Sequence, residues 1–412
     1  MTATPGGGES AERADRFVSV APKIGYQGPL DGLRAIAVLM VLFTHAAYTS
    51  FASFAGSVDV FFVVSGFLIT TLILEEDRAR GHVDVKTFYL RRVLRLFPVL
   101  YAVLGATLVA GLFIGNDQFR DRTINDVLSA GLYVYHVIHP VGVEIGTKHL
   151  PEVRPLIHLW SLSVEEHFYL VALILMMTVV RFRLARHLIV VFSGLWLAIG
   201  IARLTGHVGW KYMWYQRPDA LMIGVVAAAA NSLIPTISEQ TQKLLRRIAT
   251  VALAGAVIVL LLGTKLVPAG WFIPFAPEKA GDPNLADKMW WARFGFTIVS
   301  GVTAFLVFTL VRSGNWWLSR LFSNKVLCGI GRRSYCIYLV HVPLAVMMVE
   351  AAKGHITEEH VLLAYLFVLP VVSELVFRFV EQPGLRLKRK FVRLSPATAT
   401  PTPPPAADAP LY

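Results

Sequence analysis

Residues 30–46 read LDGLRAIAVLMVLFTHA, an apolar run interrupted by Arg34 and His45. A permanent cation and a titratable base inside a membrane span are costly enough that function is the default explanation for both. The eleven-residue step from Arg34 to His45, at ~100° and ~1.5 Å per residue, brings the two side chains to nearly one helix face, about 16 Å apart along the axis. With Arg34 at one interface, His45 lies well inside the bilayer.

The rest of the chain has the same character. Of its 412 residues 55% are apolar and 16% charged, and the mean hydropathy of +0.57 is too high for an ordinary soluble enzyme. The expected fold is all-α, a polytopic membrane helix bundle of about ten transmembrane helices. Hydropathy places these at 32–50, 57–74, 98–114, 158–180, 187–204, 216–233, 248–267, 293–311, 334–350 and 361–380, each near the ~20 residues that cross a bilayer. An eleventh stretch, 124–138, is short and carries Asn125, Asp126 and His136.

Basic residues decide its status. With ten spans and both termini cytoplasmic, 25 of the 39 Lys and Arg residues fall inside and 8 outside. Making 124–138 a crossing would put RFRLAR (181–186) outside, against the positive-inside rule. Residues 115–157 are therefore read as one external loop with a half-buried helix. The second large external loop, 268–292, has Trp271, Trp290 and Trp291 as interfacial anchors.

The net charge of +12 follows this topology and implies a lipid surface, not nucleic acid, as partner. Cys328 and Cys336 are too few for a disulfide framework. Residues 1–27 read as a cytoplasmic segment without a cleaved signal peptide, 28–383 as the membrane domain, and 384–412 as a basic, then Pro-rich cytoplasmic tail. The stretch 395–412 has a disordered composition, and no second folded domain is expected after the last span. The expected location is the plasma (inner) membrane.

Depth assigned from this topology draws His45, Asp59, Glu165 and Glu166 together near the outer side, as in a polar cavity open to the outside. A histidine with a neighbouring carboxylate is the usual arrangement of a general base; interhelical hydrogen bonding is the structural alternative. In YLRRVLRLFP (89–98), Arg92 and Arg95 share one helix face. Paired guanidiniums suit a multiply charged phosphate ligand, although anionic headgroups would also favour arginines there. In HLWSLSVEEHFYL (158–170), helical spacing aligns His158, Ser161 and Glu165, with Glu166 and Tyr169 beside them. Arg217 and Asp219 of QRPDALMIG (216–224) stand at the expected outer mouth, where they can pair or meet substrate. Tyr338 and His341 share a face ahead of Pro343, which is expected to bend the helix. No metal site is expected.

Together, LDGLRAIAVLMVLFTH, GSVDVFFVVSGFLI (56–69), RRVLRLFP, HLWSLSVEEHFYL, the R-x-D-x-L-x-x-G of 217–224 and SYCIYLVHVP resemble the acyltransferase 3 family of integral-membrane O-acyltransferases. The resemblance covers nearly all of 28–383. It implies transfer of an acyl group from cytoplasmic acyl-CoA to a hydroxyl of a cell-envelope carbohydrate or glycosylated small molecule. The family's Arg-x10-His pair falls on Arg34 and His45, its Arg-x-x-Arg on Arg92 and Arg95, and its glutamate motif on Glu165 and Glu166, followed here by His167 where glutamine is common. Some relatives carry a fused soluble esterase-like domain. The implied roles are His45 as base or acyl carrier supported by Asp59 or Glu165, Arg92 and Arg95 on the CoA phosphates, and Arg34 attracting the cofactor. His158, Ser161, Arg217, Asp219, Tyr338 and His341 are then expected along the acceptor's path. A transporter or flippase would use a similar polar cavity, but the chain shows no inverted repeat or paired broken helices.

Overall fold

The computed structural model describes residues 18–46, 51–139, 154–205, 217–262, 264, 290–352 and 358–393. Among them the secondary structure is entirely helical. The helices are α1 (Gly28–Ala46), α2 (Ser57–Arg80), α3 (Val85–Phe113), α4 (Asp117–Gly131), α5 (Tyr135–Ile138), α6 (Trp160–Arg181) and α7 (Ala185–Leu204). They continue with α8 (Pro218–Ser232), α9 (Glu239–Leu262), α10 (Trp290–Arg312), α11 (Trp317–Phe322), α12 (Lys325–Ala352) and α13 (Glu358–Val376). A π-helical turn, Phe377–Glu381, joins α13 to α14 (Gln382–Arg393).

Among the described residues nine helices are long and apolar enough to cross a membrane. The tenth expected span, 216–233, is the 15-residue α8, shorter than a crossing needs. It is buried along most of its length, enclosed by α2, α7 and α10, so protein replaces lipid around it. Several helices also begin earlier than hydropathy indicates: α3 starts at Val85 and α12 at Lys325. Hydropathy sees only the apolar part of a helix, whereas the backbone ladder of α3 starts at its cap. There the Asp84 carboxylate accepts from the Thr87 backbone N–H at 3.0 Å and satisfies an orphan donor. Helix α12 continues through Pro343.

The segment 115–157, expected to be external, is helical but divided over its described part. In place of one helix over 124–138, α4 is capped by Asn116, which accepts from the Phe119 N–H at 2.9 Å. It ends at Gly131, and Tyr133 adopts a left-handed conformation (φ 57°) before α5. The expected loop 268–292 falls outside the described residues up to 289, as does the tail 395–412.

Close helix contacts are made through glycine. A Cβ on Gly66 of α2 would strike the Leu221 carbonyl of α8, and one on Gly224 of α8 would strike the Val63 carbonyl of α2. Small residues let backbones approach where lipid offers no hydrophobic drive. Gly224→Val is expected to force the helices apart and to reduce the monodisperse fraction in size-exclusion chromatography of the detergent-solubilised protein. An unchanged elution profile and melting temperature would show that the crossing is not tight. The outward faces of α7, α9 and α13 instead expose Val190, Val251, Ile258 and Phe367, as a lipid-facing surface should.

Residues 18–27 form an extended strap across the basic end of the bundle. The Val20 N–H donates to the Ser232 carbonyl at 2.9 Å. The Ile24 N–H donates to Glu75, and Arg78 donates to the Ala21 carbonyl, each at 2.5 Å. Composition alone gave no sign of this order.

Candidate active site

A cavity of about 730 Å³ runs beside α2, lined from Arg80 at one end to Val58 at the other. The step of 22 residues from Val58 to Arg80 corresponds to ~33 Å of helix, comparable with the ~30 Å hydrocarbon core of a bilayer. Its basic end carries Lys23, Arg78, Arg80 and Arg91 with Glu75 and Glu76. Farther in lie Arg34, Arg92 and Arg95, and the far end is walled by Phe61, Ser161, Glu165 and Tyr338. This is not the outward-open cavity expected around His45, Asp59, Glu165 and Glu166: it extends from the basic end, and of those four residues only Glu165 is among its lining.

Two of the deeper arginines, Arg34 and Arg92, differ in how they are held. Arg34 stands 3.9 Å from its neighbour on the same helix, Asp31. The Arg92 guanidinium lies 3.0 Å over the Tyr169 ring, while its Nε and Nη1 are buried without hydrogen-bond partners among the described residues. Buried guanidinium donors left open in this way suit an anionic ligand. Glu165 accepts from the hydroxyls of Ser65 and Tyr169, which fixes the wall beside Arg92. One oxygen of Glu166 is buried without a hydrogen-bond partner.

Asp59, Arg217 and Asp219 form a different object from the expected outer mouth. Arg217 pairs with Asp59 at 2.9 Å, and Asp219 takes two bonds from Arg203, at 2.7 and 3.0 Å. All four side chains are at most 4% exposed. Their charges are spent on one another, tying α8 to α2 and α7. Arg203 escaped the sequence reading although it lies in the apolar run 187–204, where the rule that singled out Arg34 applies equally. Removing one partner strands a buried ion, so Asp59→Ala is expected to destabilise the protein by about 3–5 kcal/mol. Asp59→Leu combined with Arg217→Met should recover most of that loss. Thermal unfolding in detergent measures both, and equal melting temperatures for Asp59→Ala and wild type would refute the pairing.

At the end of α1, His45 bonds through Nδ1 to the Val41 carbonyl at 2.9 Å and keeps an exposed edge. No carboxylate bonds to it among the described residues: Asp59 is engaged by Arg217 and Glu165 by Ser65 and Tyr169. The neighbour it does have is His341, with ring centroids 4.9 Å apart. His341 in turn contacts His158 at 4.8 Å. His158 stands against Tyr338 at 5.3 Å, and the Tyr338 hydroxyl lies 2.6 Å from Ser161 Oγ. Four residues expected to meet the acceptor thus follow His45, two of them, Ser161 and Tyr338, being part of the cavity wall.

The α4–α5 segment packs against α6 through His136 and His167, 4.8 Å apart. Arg154 donates to Asp126 at 2.6 Å and to His139 Nε2 at 3.1 Å. Burial, and then the nearby Arg154, hold His139 down at about 4. Burial and His167 do the same to His136, also at about 4. Burial raises Asp126 to about 6 against the pull of Arg154. Between pH 4 and 6.5 the unfolded segment would protonate both imidazoles, while the folded one retains only the Asp126 proton. The imbalance favours unfolding as pH falls. Amide exchange over 117–139 is expected to quicken from pH 7 to pH 5 after correction for intrinsic rates; protection independent of pH would contradict this.

Residues 29–375 match the acyltransferase domain of the acyltransferase 3 family. The chain belongs to that family. Among its relatives, the peptidoglycan O-acetyltransferase OatA of Listeria monocytogenes is 28% identical over 374 residues, covering 87% of this chain and 56% of the relative. The O-acetyltransferase OatA of Staphylococcus aureus is 28% identical over 366 residues, covering 87% and 57%. The chain therefore spans less than two thirds of the length of these relatives. No solved structure matches it. As an acyltransferase 3 protein with nine spanning-length apolar helices among its described residues, it is a multi-pass membrane protein.

Two features near the acyltransferase 3 cavity were not foreseen. Lys23 reaches the lining from the strap. Glu381 is buried on the π-helical turn, where it accepts from the Cys336 thiol at 2.8 Å; a π-turn re-aims the side chains that follow it. A buried acid next to Pro383 at the end of an apolar run was the available signal for the second.

Proposed function

We propose that the protein is a membrane O-acyltransferase that takes an acyl group from cytoplasmic acyl-CoA and places it on a hydroxyl of a cell-envelope carbohydrate or glycosylated small molecule. The observation that carries this reading is the bilayer-long cavity, with the open donors of Arg92 partway along it and histidines beyond its far end. The basic end faces the cytoplasm of the plasma (inner) membrane, with both termini on that side. Arg92 and Arg95 bind the phosphates of CoA, Arg34 adds positive potential, and Glu165 with Tyr169 fixes Arg92. Ser161 and Tyr338 border the thioester. His45, exposed on its outer edge, takes the proton of the acceptor hydroxyl or carries the acyl group itself. The open donors of Arg92 fit the chemistry of a diphosphate, which accepts such bonds in pairs.

Incubation of purified protein with labelled acetyl-CoA, with and without a carbohydrate acceptor, tests the reading. Acceptor-dependent release of free CoA and label in the carbohydrate are expected. A carrier would leave the thioester intact, and intact thioester across a range of envelope carbohydrates would overturn the assignment.

A further inference from the structure

We propose that Lys23 of the strap and Arg91 of α3 form a subsite for a phosphomonoester, the 3′-phosphate of CoA, by which the protein tells CoA thioesters from those that lack this group. The proposal rests on the acyl-transfer reading above and concerns which donors that site accepts. CoA carries its diphosphate and its 3′-phosphate on one ribose. With the diphosphate on Arg92 and Arg95 and the pantetheine arm directed toward Ser161 and Tyr338, the ribose lies on the opposite side, toward the basic end of the cavity. Arg91 precedes Arg95 by four residues on α3, which puts it ~6 Å nearer that end along the axis and on the same helix face. One sugar spans such a step.

The strap holds Lys23 at this end from both sides. Its backbone is pinned before Lys23 by the Ala21 carbonyl, which accepts from Arg78 at 2.5 Å, and after it by the Ile24 N–H, which donates to Glu75 at 2.5 Å. Both partners belong to the last turns of α2, and Lys23 joins them in the cavity wall. An ammonium carried on a pinned backbone binds at a lower entropic cost than one on a free chain. Arg91 adds a fixed donor. Its Nε is buried without a hydrogen-bond partner among the described residues, while its Nη1 stands 3.7 Å from Glu76.

The charge at this end matches the ligand. Among the described residues Lys23, Arg78, Arg80 and Arg91 line it together with Glu75 and Glu76, four cations with two acids. The Glu76 carboxylate is shared by Arg80 at 3.1 Å and Arg91 at 3.7 Å, and Arg78 donates to the Ser19 carbonyl at 3.3 Å as well as to Ala21. Two positive charges remain in excess, and a phosphomonoester carries about −1.5 to −2 near neutral pH. A thioester whose nucleotide ends in a bare 3′-hydroxyl leaves that excess uncompensated. Lys23 and Arg91 touch neither the thioester nor the acceptor, so their effect is on the choice of donor.

The test is equilibrium dialysis of the purified full-length protein in phosphatidylcholine nanodiscs, which offer no anionic headgroup in competition, with acetyl-CoA and with acetyl-3′-dephospho-CoA. Wild type should bind acetyl-CoA about tenfold more tightly than the dephospho ligand, the low end for one hydrogen bond to a charged group. Lys23→Ala should cut this preference to about threefold, because an exposed charge contributes modestly, and Lys23→Arg should restore most of it. Lys23→Ala combined with Arg91→Gln should abolish it, with little change in the Kd of the dephospho ligand. The ratio of the two constants cancels any general loosening of the fold. Equal affinity of wild type for the two ligands would overturn the subsite and leave the acyl-CoA reading standing. A full preference retained in the double variant would overturn it too, as would a loss in Lys23→Ala that is the same for both ligands, which would make the strap a structural clamp only. Absence of acetyl-CoA binding by wild type would overturn the acyl-CoA reading and the subsite with it.

Discussion

His45→Ala is expected to reduce acceptor-dependent release of CoA by roughly 10²–10⁴-fold, the usual contribution of a positioned general base, and by more if the imidazole also carries the acyl group. Affinity for acyl-CoA should be unchanged, because His45 is not among the residues lining the cavity proposed to receive it. This separation makes the variant informative. Its ring contributes one hydrogen bond to its own helix and an exposed edge, so its loss should not stop the chain from folding. Melting temperature and calorimetric titration with acetyl-CoA check these two controls. A purified variant with normal turnover would exclude the base role.

Arg92→Ala combined with Arg95→Ala is expected to act on the opposite limb. Hydrogen bonds to charged groups contribute about 1.5–3 kcal/mol each, so losing one from each arginine should raise the Kd for acetyl-CoA by roughly 10²–10⁴-fold. Arg92→Lys should be only a partial remedy: a point charge restores attraction but not the paired donors that a diphosphate accepts. Equilibrium dialysis with acetyl-CoA reads both. A Kd equal to wild type would reassign the arginines to the lipid surface, where their position near the basic end would also suit them.

Much of this arrangement was legible along the chain. Helical periodicity fixes both face and depth, which is why Arg34, Arg92, Arg95, Ser161, Glu165 and Tyr338 could be singled out before any geometry was known, and all six line one cavity. Periodicity says nothing about which helix a polar face turns toward. The partner of Asp59 proved to be Arg217, and that of Asp219 proved to be Arg203, because α8 rests on glycine contacts with α2 that bring remote residues together. For the same reason the support expected for His45 from a carboxylate was replaced by an imidazole from α12. Depth counted from span ends was also blurred wherever helices continued past the apolar run, as α3 and α12 do. The strap left no trace in composition, since its bonds are mostly backbone groups meeting α2 and α8.

The four-charge knot of Asp59, Arg203, Arg217 and Asp219 has a consequence for how the bundle is put together. Isolated in lipid, α2 would carry a naked acid, α7 a naked base and α8 both, each at an end turn of its helix, where the cost is below the about 2.5–3.5 kcal/mol that insertion scales give at mid-helix. Neutrality is reached only when the three are side by side. The settled positions of α2 and α7 in the bundle therefore depend on α8, whose start supplies the opposite charge to each.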